Sequence, residues 1–266
     1  MRKKIYIVFS VTAILSLLSS CEKIIDLKLS DSSSQIVIQG NIYDLTGPYK
    51  INISKTVNFR ELNVYPPVSG AIVEISDDKG NSEVLAESDS GTYITSTLRG
   101  TPGNTYTLKV TAGGKTYTAC STMPSPVKID NIYFDKSKFD KDILTIVSFR
   151  DTPGIENYYR LIQFVNNELL ERFIVFSDKS IEGKQASYSI IPSEDDSKLK
   201  PGDKISVVLE CIDENVYEYF RTAGNWNGQS ASPANPISNI SNGVLGYFNA
   251  CSVRKMSAVV PPIDHD

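Results

Sequence analysis

The sequence predicts an all-β protein built as two sandwich-like domains. Three observations carry that expectation. Segments of strand length follow one another with turn residues between them. The composition beyond the first 20 residues leans to Thr, Tyr, Ile, Val, Ser and Asn, with 16 Gly and 13 Pro along the chain, which suits strands and turns better than helices. A length of 266 residues with 41% hydrophobic content suffices for one large core or two modest ones.

The first segment stands outside that fold. Arg2, Lys3 and Lys4 precede an apolar run from Ile5 to Leu18, the layout of a secretory signal and short for a membrane-spanning helix. Leu18-Ser19-Ser20-Cys21 resembles a bacterial lipobox, in which the cysteine is diacylated on sulfur, becomes the first residue after cleavage and is acylated again on its amine. Several acyl chains anchor far more firmly than one, since each buried methylene adds roughly 0.8 kcal/mol. Residues 1–20 are thus expected to be removed, taking the formal charge from −4 to −7. Residues 21–34, ending in a serine-rich stretch, read as the tether from a lipid on Cys21.

Strands then follow in order: 35–42, 49–55, 70–78, 82–88, 92–98, 105–112 and 115–122. Ile51 and Ile53 alternate with Lys50 and Asn52, while Tyr106, Leu108 and Val110 alternate with Thr107 and Lys109, so one face of each strand goes inward. Asp78-Lys79-Gly80-Asn81 and Ala112-Gly113-Gly114-Lys115 supply the glycines that tight hairpins require. The stretch 56–70 contains Pro66 and Pro67 and reads as a loop presenting Phe59 and Tyr65. Pro124 and Pro126 close this set, placing a domain over 35–123 and a second, β-rich one over 124–266.

In the second region, 127–135, 142–151, 157–167 and 170–178 carry apolar residues in both alternating sets, the pattern of strands buried on two faces. After an acidic loop at 192–203, the segment 204–212 is a further strand. Behind Asp213 the period changes: Val216, Tyr219, Phe220 and Ala223 recur at helical spacing, and Asp213 is a good N-cap, giving one helix near 214–223. The polar run 224–243 holds the single tryptophan and has no packing face of its own, so it is expected to lie over the surface or be ordered by a partner. A strand at 244–253 closes the fold.

Taken together, CEKIIDL after the lipobox, PPVSGAIVEISDDKGNSEVL, GTYITSTLRGTPGNTYTLKVTAGGKTYTACSTMP, PGDKISVVLECIDENVYEYF and NPISNISNGVLGYF resemble a family of Bacteroidota-type outer-membrane lipoproteins known only as domain of unknown function 4249. The resemblance runs from about Cys21 to Phe248, and the Asn-Pro-Ile-Ser-Asn-Ile-Ser-Asn-Gly run is its most specific piece. It implies an exported lipoprotein whose first domain is an immunoglobulin-like or carboxypeptidase-regulatory-like sandwich. It also implies a neighbour, since relatives are often encoded beside TonB-dependent transporters, and it implies no activity. Only Glu22 is acidic directly after Cys21, so the sequence leaves open which face of the outer membrane carries the protein.

Chemistry is sparse. The one histidine, His265, lies in the tail, which excludes the usual serine and cysteine triads. Cys120, Cys211 and Cys251 match no metal spacing, and three cysteines cannot all pair within one chain; Cys211 reads as a small buried hydrophobe, and Cys211 with Cys251 is the pair a bridge would use. Asp77 with Asp78, Asp140 with Asp142, and Glu194 with Asp195 and Asp196 all fall in polar turns, where solvated acids are ordinary, and the last stretch lacks the spacing of a calcium loop. No catalytic, cofactor or metal residues are therefore expected. Mixed charge with no basic cluster gives no reason to expect nucleic acid. The binding candidate is Asn225-Trp226-Asn227, an aromatic between amides that suits a protein contact or a glycan, against the plainer reading that Trp226 folds back to cover the core beside the helix. The resulting expectation is a non-enzymatic accessory or binding subunit of a TonB-dependent β-barrel, with a stand-alone glycan-binding adhesin as its alternative.

Overall fold

The computed structural model describes residues 34–57, 64–138, 142–191, 198–224 and 235–262, without the side chains of 171 and 172. Among these the chain runs β1 (Ile36–Tyr43), β2 (Lys50–Lys55), β3 (Ile72–Asp77), β4 (Ser82–Val84), β5 (Ala86–Asp89), β6 (Thr92–Ile94), β7 (Thr105–Ala112) and β8 (Lys115–Thr122). It continues through β9 (Ile129–Lys136), β10 (Ile143–Arg150), β11 (Tyr158–Val165), β12 (Glu168–Ser177), a 3-10 turn (Asp178–Ser180), β13 (Gln185–Ile190), β14 (Lys204–Ile212), helix α1 (Glu214–Gly224) and β15 (Leu245–Val259). The protein is all-β, as the alternation predicts.

The last strand organises the rest. The first half of β15 pairs parallel with β1, from Val37 opposite Leu245 to Tyr43 opposite Cys251. Its second half pairs antiparallel with β14, from Cys211 opposite Ser252 to Lys204 opposite Val259. Two half-sheets thereby join into one of eight strands, ordered β12-β11-β14-β15-β1-β2-β6-β5. A four-stranded sheet, β4-β3-β7-β8, and a three-stranded sheet, β13-β10-β9, complete the framework. Where β1 stops, the Asp44 carboxylate takes over its role, accepting from Val253 N at 2.7 Å and from Arg254 Nη1 at 2.7 Å.

Two cores result. The first buries Ile38, Ile42, Ile51, Ile53 and Tyr93 against Val73, Ile75, Leu108, Val110 and Tyr117, and residues from the chain's far end, Ile240, Val244, Phe248 and Ala250, complete it. The second packs Tyr159, Leu161, Ile205, Val207 and Leu209 against Ile129, Ile132, Val147, Phe149 and Ile190. The chain passes from one core to the other between Met123 and Val127, yet from Ser34 onward it forms one compact unit. A third, smaller cluster sits under α1, where Val216 and Phe220 meet Tyr158, Ile212, Cys251 and Val253.

The predicted strands 105–112, 115–122 and 204–212 appear at those limits; others differ for local reasons. The expected strand 82–88 is two strands in different sheets, because Leu85 turns its side chain into the first core while its N–H bonds Val73 O at 2.8 Å. The expected strand 92–98 ends at Ile94. Beyond it Ser96, Thr97 and Leu98 wrap the Glu83 carboxylate, which accepts from their three N–H groups at 2.5, 3.1 and 2.7 Å and from both hydroxyls. Burial works to raise the Glu83 pKa, but these donors outweigh it and hold it at about 2. β13 was not expected at all, and β15 runs on to Val259 where 253 was predicted.

Gly246 shows how closely β1 and β15 approach. Its φ is +100°, and a Cβ there would stand 1.9 Å from Ile38 O. Gly80 has a similar φ of +92° with open space around it. Gly246→Ala is expected to lower unfolding free energy by about 3 kcal/mol or more, against roughly 1 kcal/mol for Gly80→Ala. Urea denaturation of both variants checks this, and equal losses would show that the close approach carries no weight.

Candidate functional site

Most residues singled out by sequence are outside the described residues: Cys21, the Asn225-Trp226-Asn227 run, Asp140, Glu194, Asp195, Asp196 and His265. Of the acids that are described, Asp77 closes a turn, accepting from Lys79 N, Asn81 N and Asn81 Nδ2 at 3.0, 2.9 and 2.8 Å, which holds its carboxyl below the usual range. Asp78 pairs with Lys79 and Asp142 with Lys198. Cys120 is exposed, while Cys211 and Cys251 are buried and unbridged. Since Cys211 lies opposite Ser252, Cys251 points to the other face of the sheet, so the pair that sequence favours for a bridge is separated by the sheet itself. Burial pushes the Cys211 thiol up to about 11 and the Cys251 thiol well above its ordinary value, which keeps both protonated and unreactive.

The part of the polar run that is described is ordered by its own side chains. Asn239 brackets Phe248, donating to its carbonyl at 2.7 Å and accepting from its N–H at 3.0 Å. Ser241 Oγ accepts from Thr118 N at 2.8 Å, and Ile240 enters the first core. The expectation that this run lacks a packing face thus fails for 239–241, because amides and hydroxyls do what a strand ladder would otherwise do.

Beneath α1 lies a buried charged pair. Asp213 caps the helix, accepting from Val216 N at 2.9 Å through Oδ1, while Oδ2 accepts from Thr122 N at 3.1 Å and from the Ser121 hydroxyl. This fixes the helix start to β8 and seats Phe220 over β11 and β12. There the Arg160 guanidinium stands 3.9 Å from the Phe220 ring centroid and 5.0 Å from that of Phe173, and donates to Glu210 Oε2 at 3.1 Å. The two side chains are 15% and 5% exposed. Burial raises the Glu210 pKa, against the attraction of Arg160. On the same face of the sheet Asn41 Nδ2 donates to Tyr247 Oη at 3.4 Å and Asn249 Nδ2 to Asn41 Oδ1 at 3.2 Å. Arg160 Nε and Asn249 Oδ1 are buried with no partner among the described residues. Arg160 Nε and Asn249 Oδ1 thus keep hydrogen-bonding capacity on a face walled by aromatic rings.

A second cluster joins Asp151, Asp178 and Glu182, each with a carboxylate oxygen within 4.8 Å of the others. Asp151 and Asp178 are buried, and no ion pair serves any of the three among the described residues. The Asn157 amide stands between the first two of these. Its Nδ2 faces Thr152 O and Ile155 O at 2.9 Å, Asp178 Oδ2 at 3.3 Å and Asp151 Oδ1 at 3.4 Å. The Tyr159 hydroxyl also donates to Asp151, and Gly183 N does so at 2.7 Å. This is a clasp between the β10–β11 and β12–β13 connections, formed where β11 lies against β12. Sequence spacing could not reveal it, because Asp151 and Asp178 are brought together only by that pairing, with Tyr158 opposite Ser177.

A family model described as a domain of unknown function, DUF4249, matches residues 22–257. The chain belongs to this family. The family's span covers both cores, the pair beneath α1 and the carboxylate clasp, and it begins at the residue after Cys21. No curated protein matches the chain.

Two outcomes test these clusters. Arg160→Met alone leaves Glu210 buried without its partner and is expected to cost about 3–5 kcal/mol in urea denaturation, whereas Arg160→Met with Glu210→Leu recovers most of the loss. For Asp178, burial first and then the charges of Asp151 and Glu182 raise the pKa, against hydrogen bonds from Asn157. Its folded value lies above the unfolded one, so its contribution to stability is greatest at low pH and is lost as pH rises through the folded value. Asp178→Asn is expected to raise the thermal midpoint at neutral pH, with an advantage that shrinks on acidification; a gain independent of pH would contradict the assignment.

Proposed function

We propose that this protein is an outer-membrane lipoprotein, held by acyl chains on Cys21, and that it acts as a non-enzymatic accessory or binding subunit of a TonB-dependent transporter. The observation that carries the anchoring is the stretch Leu18-Ser19-Ser20-Cys21 behind a basic and apolar leader. Two facts support it: the family's span begins directly after Cys21, and the described fold begins only a short tether later, at Ser34. The non-enzymatic reading draws support from Asp77, Asp213 and Asp178, which close a turn, cap α1 and hold loops together. The transporter as partner comes from the family resemblance.

Cys21→Ser is expected to accumulate as uncut, unlipidated precursor; normal processing of that variant, read by mass spectrometry, overturns the anchoring. Extraction of the tagged protein in mild detergent should recover a β-barrel transporter in near-equal amount. Recovery of the protein alone overturns the accessory reading, and glycan binding abolished by Trp226→Ala in a folded protein would put the adhesin in its place.

A further inference from the structure

We infer that the end of the molecule from which the tether leaves carries a second, non-covalent membrane contact, made by the exposed side chains Val64, Tyr65, Ile72 and Val84 and seated in the interfacial layer of the bilayer. The inference rests on the lipid anchoring proposed above.

The placement follows from pairing alone. The tether enters the fold at Ser34, whose Oγ donates to Thr56 O at 2.9 Å, while Gln35 N donates to Thr56 Oγ1 and Thr56 N to Gln35 O, each at 2.9 Å. One residue earlier, Lys55 N donates to Pro66 O at 2.9 Å, and Ser54 bridges to Pro67. Val64 and Tyr65 therefore stand next to the point where the tether meets β1, and they are 71% and 56% exposed. From Pro67 the chain runs within five residues to Ile72, at the start of β3, which is 62% exposed. Val84 pairs with Glu74, two residues along the same outer face, and is 65% exposed.

The turn between β7 and β8 belongs to this end as well. Ile72 is opposite Thr111, and Thr116 accepts from Asn242 Nδ2 at 2.9 Å, three residues before Leu245 meets Val37. Lys55 and Lys115, both exposed, flank the apolar side chains with positive charge. The neighbouring Glu87 has its carboxylate occupied by Gly70 N at 3.0 Å and Gly91 N at 2.9 Å. On the same outer face Glu74, between Ile72 and Val84, pairs with Lys109 at 3.9 Å. Aliphatic and tyrosyl side chains flanked by lysine are what an interfacial lipid layer accommodates, the rings and methyl groups among the acyl boundary and the ammonium groups at the phosphates.

The tether decides which surface could cover this patch. From Cys21 to Ser34 there are 13 residues, which span about 45 Å at most and far less on average, so lipid is held at high local concentration against the end where the chain emerges. The opposite end of β1 is about 23 Å away at roughly 3.3 Å per residue, and there Leu45 offers an exposed control position.

The test uses the full-length, lipidated protein in phosphatidylethanolamine and phosphatidylglycerol vesicles containing bromine-labelled phosphatidylcholine. Trp226→Phe removes the native tryptophan, and Tyr65→Trp, Val64→Trp or Leu45→Trp then reports one position each. Emission from positions 64 and 65 is expected to fall about twofold against unlabelled vesicles, for a side chain within the outer 5–10 Å of the acyl boundary, with little change at position 45. The acyl mass on Cys21 is measured on the same samples. An acylated protein whose positions 64 and 65 are quenched no more than position 45 overturns this inference alone; a protein without acyl chains overturns the anchoring, and this inference with it.

Discussion

The parallel pairing of β1 with the first half of β15 is the contact on which the remaining structure depends. It joins residues more than 200 positions apart, Val37 to Leu245 through Tyr43 to Cys251, and places both ends of the fold in its centre. Because β15 then passes to β14, one strand serves both half-sheets and both cores. Its crowding is visible in Gly40, where a Cβ would lie 2.4 Å from Ile51 Cδ1, and in Gly246 opposite Ile38. Contacts this distant in sequence require most of the chain before the first sandwich closes, so its core stays incomplete until Phe248 and Ala250 arrive.

Polar side chains substitute for regular ladders wherever strands stop. Asp44 continues β1, Glu83 gathers the turn after β6, Asn239 clamps β15, Asp213 ties α1 to β8, and Asn157 holds two connections together. Asp44, Glu83, Asn239 and Asp213 accept from backbone N–H groups and Asn157 donates to backbone carbonyls, and such groups cost about 1–3 kcal/mol each when buried without a partner. The same economy fails around β11. Among the described residues Arg160 Nε on one face and both amide atoms of Gln163 on the other lack partners, as does Thr145 Oγ1 in the covering sheet. Interior polar atoms that nothing satisfies are where ordered water enters a fold, and they set β11 apart from the better-satisfied first sandwich.

The strand alternation in 105–112 and 115–122 was legible because each strand buries one face in a single sheet, so period and burial coincide, whereas 204–212 was legible as an apolar run of strand length buried on both faces. It misled where a segment changes sheet, as at Leu85, or where a carboxylate competes with pairing, as at Ser96 to Leu98. β13 escaped notice because Gln185, Ser187 and Ser189 are weak strand formers and only Ala186, Tyr188 and Ile190 face inward. The site was less legible than the fold. Asp213 announces itself as a cap before a helical period, but Arg160 and Glu210 occupy ordinary positions in apolar strands, and only the β11–β14 register sets them opposite each other. The carboxylate clasp is assembled in the same manner, from connections that pairing brings together.

The geometry also separates the two regions that bear on function. Along β15, Leu245 belongs to the end where the tether emerges, whereas Cys251, under α1, stands about 20 Å further on at roughly 3.3 Å per residue. A bilayer lying against Val64, Tyr65 and Ile72 therefore leaves α1 and the Arg160–Glu210 pair beside it clear of the lipid. On the proposed reading anchoring and recognition use different stretches of one strand, and the β1–β15 pairing sets the distance between them. A protein tethered through a flexible chain gains from such a second contact, since the lipid alone sets where the molecule is but not which face it turns to a neighbour in the membrane.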